Sequence, residues 1–205
     1  MPPFQTLLRI FFVAVLATST LAGVVQSPRS ERCGLCEAKQ TPLSVIIPQL
    51  QDRITPKIDE MKNLPSDKIT PEALGPIAKD ITNAIHEVTD QIQLFIDQNV
   101  DLDILLADKP GGSQRLRLAE IGVTVAGLVS VIVGGITAVL KAAGSGNAEA
   151  VIQVLLEIVV ALVTLLLRLG TLLVGLLTTL IPMIPELVSL GLQMGIKEIL
   201  ELIGQ

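Results

Sequence analysis

The sequence predicts an all-α fold: a bundle of four to six helices, with polar N-terminal helices packed on a very apolar C-terminal half. Three observations predict it. Through residues 43–95 the large apolar side chains recur at steps of three and four, the period of one buried helix face. Thr-Pro pairs punctuate the same region as helix-start signals, a capping hydroxyl followed by a proline whose missing N–H costs nothing in the first turn. Beyond residue 113 charge falls away, yet a narrow polar stripe persists at helical spacing.

Composition excludes several function classes. Half of the 205 residues are hydrophobic, enough for a real core, and the net charge is −5. Aromatic residues make up 2% of the chain, with no Trp and no Tyr, so neither the basic surface nor the stacking rings of a nucleic-acid binder are present. Two cysteines are too few for a disulfide scaffold, so stability must come from packed helices. With one His and no Ser/His/Asp or Cys/His arrangement, the chain reads as a non-enzyme with no catalytic, cofactor or metal residues.

Residues 1–22 read as an export signal. Arg9 precedes the apolar run 10–16, and Thr20-Leu21-Ala22 fits the small-x-small rule for cleavage after Ala22. The run is too short for a membrane anchor. The expected location is therefore extracellular, an oxidising compartment. Residues 23–40 form a polar lead containing Cys33 and Cys36. A redox CxxC site needs a βαβ context and a zinc site needs two more ligands, and neither follows. A structural disulfide is expected, either local or between chains.

Residues 41–112 form an acidic, amphipathic half. Leu43, Ile47, Leu50, Ile54, Ile58 and Met61 mark one helix face, which Pro48 and Pro56 are expected to kink or divide. Thr41-Pro42, Thr55-Pro56 and Thr70-Pro71 each mark a helix start. Leu74, Ile77, Ile81, Ile85, Val88, Ile92 and Phe95 mark the next helix, with Lys79, Asp80, Asn83, Glu87 and Asp90 outward. Asp97, Asn99, Asp101, Asp103 and Asp108 match the oxygen positions of a calcium loop. However, Leu102 stands where the turning Gly is needed, so no calcium site is expected.

Residues 113–205 form the hydrophobic half. Residues 121–140 carry no charge and are long enough, as a helix, to cross a bilayer core of ~30 Å. Two periods compete there. Small residues recur every fourth position at Gly122, Ala126, Ser130, Gly134, Ala138 and Ala142, a stripe that lets helices approach closely. Val123, Val125, Val129, Val131 and Val133 alternate as in a strand. The segment is assigned as helix, the strand reading stays open, and the small stripe is expected to pack on the helix beginning near Val151. That helix is expected to run from 148 to about 180, with Gln153, Glu157, Thr164, Arg168, Thr171, Gly175 and Thr178 as its polar stripe. A last helix is expected over 186–203.

This layout resembles a family of hydrophobin-like cell-wall proteins from mushroom-forming fungi. The resemblance rests on the export signal, the Pro-punctuated polar half and runs such as 159–167 (VVALVTLLL). It implies a secreted structural protein of the cell wall, linked to adhesion. It does not extend to true hydrophobins, which carry eight cysteines. The expected activity is self-association and coating where water meets an apolar surface. Expected partners are other copies, a wall or apolar surface and, as a candidate, lipid. The alternatives are a membrane-embedded helical protein and a secreted lipid-binding module.

Overall fold

A computed structural model describes residues 41–143 and 148–190, apart from Glu186 and Val188. The chain divides into two compact units, Met1–Glu37 and Ala38–Gln205, and every described residue belongs to the second. The export signal, Cys33 and Cys36, and the expected helix beyond Leu190 lie outside the described residues. The fold is an all-α bundle. Its helices are α1 (Leu43–Lys62), α2 (Pro71–Asp97), α3 (Leu102–Leu105), α4 (Leu118–Ala142), α5 (Ala148–Leu172) and α6 (Leu176–Leu180). Among the described residues the only β pairing is an isolated antiparallel bridge between Ala107 and Arg115.

Local chemistry explains most of the boundaries. Thr70 caps α2, its Oγ1 accepting from the Ala73 N–H at 3.3 Å, and Pro71 occupies the first turn. Asp101 caps α3 through the Asp103 N–H at 2.9 Å. The Glu120 carboxylate accepts from the Arg117 N–H at 2.6 Å and holds the entry to α4. Three expectations are corrected. Pro48 and Pro56 do not divide α1, which runs unbroken from Leu43 to Lys62. Thr55 starts no helix, and its hydroxyl instead donates back to the Gln51 carbonyl at 2.7 Å. Nor do residues 148–180 form one helix. α5 ends at Leu172, and Gly175 takes a left-handed φ of 88° before α6, a conformation that favours glycine.

Four long helices form a ring in the order α1, α2, α5, α4. The α2–α5 and α1–α4 pairs are the most extensive, while α4 and α5 touch along little of their length. Gly127 faces Gln51 and Gly135 faces Ile58, so α1 and α4 run parallel. The segment 98–117 carries the chain across one end of the bundle, from α2 to the diagonal position of α4. It is fastened there by the Ser44 hydroxyl, which donates to the Ala107 carbonyl at 2.7 Å. Leu116 N–H to Leu106 C=O at 2.7 Å and Asp108 N–H to Gln114 C=O at 2.9 Å close the loop on itself.

The core is continuous through all four long helices. All the apolar positions read from α1 and α2 are buried, from Leu43 to Phe95, as are Ile121, Val125, Ile132, Ile136, Leu155, Leu162 and Leu169. Each such side chain contributes about 1.5–3 kcal/mol when fully buried. The polar half therefore covers the inward face of the apolar half, as the period of its residues requires.

Candidate interaction surface

The small-residue stripe of α4 does not run along one helix contact. Gly122 lies under α6, where an added Cβ would stand 3.5 Å from Thr179 Cγ2 and 3.9 Å from Met183 Sδ. Ala126 is buried, Ser130 and Gly134 are exposed, and Ala138 and Ala142 are half-buried. The α4 face that turns inward is the bulky one, through Ile121, Val125, Leu128, Val129, Ile132, Ile136 and Val139. Apolar area decides the orientation, and small residues have little of it to bury. The close helix approach occurs one residue away, at Gly135 against Ile58 of α1. The stripe is thus not the seam to the helix beginning near Val151, because the chief partner of α4 is α1 and that of α5 is α2.

The acidic residues 97–108 are dispersed over separate tasks. Asp97 accepts from Gln93 Nε2 at 2.7 Å, Asp101 caps α3, and Asp103 pairs with Arg115 at 2.7 Å. Asn99 takes a φ of 48°, the reversal between α2 and α3. The Asp108 carboxylate is tucked under Gly112, where a Cβ would collide with it. Among the described residues no three His, Cys, Asp or Glu side chains gather as a metal group.

What the fold does assemble is a division of charge. The α1–α2 side carries cross-helix ion pairs, Arg53 to Glu87 at 2.7 Å and Lys57 to Asp80 at 3.0 Å. Lys62 to Asp59 at 3.1 Å adds an intrahelical pair. The Arg53 guanidinium, by hydrogen bond and charge, lowers the Glu87 carboxyl below its usual range, and the Asp80 hydrogen bond and nearby carboxylate charges raise Lys57. On the other side, α4 has no charge between Glu120 and Lys141, and residues 169–185 have none at all. Of the α5 polar stripe, Gln153, Glu157 and Thr171 are exposed, while Thr164 and Arg168 are half-buried. The threonines there spend their donors internally. Thr124 donates to the Glu120 carbonyl, Thr164 to Val160, Thr171 to Leu167 and Thr179 to Gly175, at 2.9–3.2 Å. Each hydroxyl proton is thereby withdrawn from the outer surface.

The crossing end of the bundle also holds a shallow apolar groove of about 450 Å³. Leu102, Leu106, Leu116, Leu118, Leu173 and Val174 line it, with Arg115 and Arg117 in its walls. Sequence reasoning missed this feature. Leu102 stood out only as a misfit in a calcium loop, and Val174 lay inside what read as continuous helix. The one available signal was Gly175, a glycine in an uncharged run where helix continuation was assumed.

No family model matches this chain, and no match was found among curated proteins or solved structures.

Proposed function

We propose that this is a secreted, structural, amphiphilic protein that self-associates where an apolar surface meets water, in or on a cell wall, as the resemblance to the hydrophobin-like wall proteins implies. The observation that carries the reading is the division of charge. The α1–α2 side has ion pairs that favour water. Between Glu120 and Lys141 α4 has no charge, α6 has none, and the Thr124 and Thr179 hydroxyls donate within the backbone. Such a bundle gains by turning its uncharged side toward an apolar phase while its charged side stays hydrated. No chemistry is assigned to it, and the reading is non-enzymatic.

The test is tensiometry and circular dichroism of the purified chain before and after shaking with air. The expected result is a fall in surface tension and a film. A tension equal to that of buffer, with no film, refutes the proposal. Strand signal in the film would assign assembly to the alternating valines of 121–133. A helical film would mean that the bundle assembles as it stands.

One observation favours a second reading, a protein embedded in a membrane. Leu118–Ala142 and Glu149–Leu172 are long and apolar enough to span a bilayer, with mean hydropathies of 2.3 and 2.7. Half of each is buried inside the protein, which a core helix also satisfies. Carbonate extraction separates the two readings: an embedded protein stays with the lipid, and a surface protein is released.

A further inference from the structure

The described chain folds as two leaves that meet at one residue. The first leaf is 41–116. Its α1 and α2 are stapled to each other by Arg53 to Glu87 at 2.7 Å and Lys57 to Asp80 at 3.0 Å. The crossing segment is tied to the same leaf. Ser44 Oγ donates to the Ala107 carbonyl, Arg115 pairs with Asp103, and the Leu116 N–H donates to the Leu106 carbonyl. The second leaf begins at Leu118 and holds α4, α5 and α6. Arg117 is the joint: Glu120 of α4 holds its N–H, and its side chain is 85% exposed. The seam between the leaves is of another kind. Among the described residues no side-chain hydrogen bond or ion pair joins α1 or α2 to α4, α5 or α6. The contact there is apolar. α4 packs chiefly on α1 and α5 chiefly on α2, while α4 and α5 touch along little of their length. Each long helix of the second leaf thus has its main partner in the first.

We propose that the bundle opens along this seam when it adsorbs, the two leaves turning apart about Arg117 with every helix as it stands. The inference rests on the interfacial function proposed above and deepens it by naming the motion that adsorption requires. In water the seam is held shut chiefly by burial of apolar area, since no polar side-chain contact spans it. Against an apolar phase that attraction is lost, because the phase is as apolar as the leucines that face each other. The backbone hydrogen bonds of each helix are internal and survive the same transfer. Arg53 with Glu87 and Lys57 with Asp80 stay on the hydrated side and keep α1 on α2. Parting the leaves uncovers the inward face of the second one, with Ile121, Val125 and Ile132 of α4 and Leu155, Leu162 and Leu169 of α5. That face is far larger than anything the closed bundle offers outward, and it is held in reserve while the protein is in water.

The experiment measures distances across and within the leaves, in the full chain carrying Cys33→Ser and Cys36→Ser so that introduced cysteines stand alone. Spin labels at Asp52→Cys and Ser130→Cys report the seam, and labels at Asp52→Cys and Asp90→Cys report the first leaf. All three positions are exposed, so labelling leaves the core intact. On a hexadecane emulsion the seam distance should lengthen by roughly 10 Å or more, one helix-to-helix spacing, while the first-leaf distance stays as it is in buffer. A tether supplies the second measurement. Ile58→Cys with Gly135→Cys sets the two Cβ atoms 3.6 Å apart, within the span of a disulfide. The oxidised form should lose most of its fall in oil–water tension, and a reductant should restore it. A seam distance that does not lengthen in adsorbed protein, or an oxidised form that adsorbs as the reduced one does, overturns the opening and leaves the interfacial function standing. Lengthening of both distances means general unfolding and overturns the leaf motion. A wild type that leaves the tension at that of buffer overturns the function, and the opening with it.

Discussion

Two adjacent glycines in α4 should respond to the same substitution with opposite signs. Gly134 is exposed, and a Cβ added there meets nothing within 4 Å. Gly134→Ala therefore gains only the difference in helix propensity, about 1 kcal/mol. For a chain of this size that corresponds to a rise in melting temperature of about 2–4 °C. Gly135 is buried, and a Cβ there would stand 2.5 Å from Ile58 Cγ2, 3.3 Å from Cδ1 and 3.6 Å from Cβ. Ile58 is only 1% exposed, and its Cγ2 is fixed directly to Cβ, so it cannot swing aside. Overpacking of this kind costs about 1–3 kcal/mol, which meets or exceeds the propensity gain. Gly135→Ala is thus expected to destabilise by up to about 2 kcal/mol net. Leucine has no Cγ2 branch at Cβ, so Ile58→Leu should relieve the clash, and the double-mutant cycle should show coupling of at least ~0.5 kcal/mol. Denaturant unfolding followed by circular dichroism reads all four proteins. If Gly135→Ala stabilises as much as Gly134→Ala, α1 is not seated on α4 at this point and the parallel pairing argued above fails.

Two further outcomes follow from local geometry and charge. Gly175→Ala forces a Cβ into a φ of 88° and should cost about 1–2 kcal/mol in thermal unfolding, with no loss if the α5–α6 break is not a left-handed turn. The Glu87 carboxyl, lowered by Arg53, and the Glu72 carboxyl, lowered first by its own backbone N–H and then by Thr70, contribute stability that is present above their ordinary value of 4.5. That contribution is lost as pH falls through their depressed folded values, so a melting profile should decline in acid, and Glu87→Gln should flatten part of the decline.

Much of the bundle was legible because α1 and α2 obey one rule. Ile54 and Ile58, or Ile81 and Ile85, are large and one turn apart, so burial alone fixes which face turns inward. Thr70-Pro71 was legible for a second reason, since the cap and the proline agree with the apolar period that follows. Thr55-Pro56 carries the same two residues and starts nothing. The stripe from Ile47 through Ile54 to Met61 passes straight through it, and the tertiary contact outweighs the local break. The α5–α6 break was illegible because leucines on both sides of Gly175 keep an apolar pattern that fits a helix or a turn alike. The candidate surface was less legible still. Exposure of Val174 depends on where the chain reverses, and of Leu102 on how 98–117 crosses the bundle, and neither is a property of local sequence.

The segment 121–140 satisfies the tests for a spanning helix, a strand and a core helix at once, and the structure shows why these are not equal. As a strand, Val123, Val125, Val129, Val131 and Val133 would share one face. In α4 they part company: Val125, Val129 and Val133 are buried, Val131 is half-buried, and Val123 is 58% exposed. The helix wins because Ile121, Leu128, Ile132, Ile136 and Val139 join the buried valines at steps of three and four, and all eight reach the core. A strand would leave about half of them on the opposite face. As a spanning helix, α4 would be free to rotate any face toward lipid, but Gly135 and Ile58 fix its rotation against α1. The outer face that remains is exposed at Val123, Ser130 and Gly134, and it carries no charge. On the interfacial function proposed above, such a face would carry little desolvation penalty at an apolar boundary.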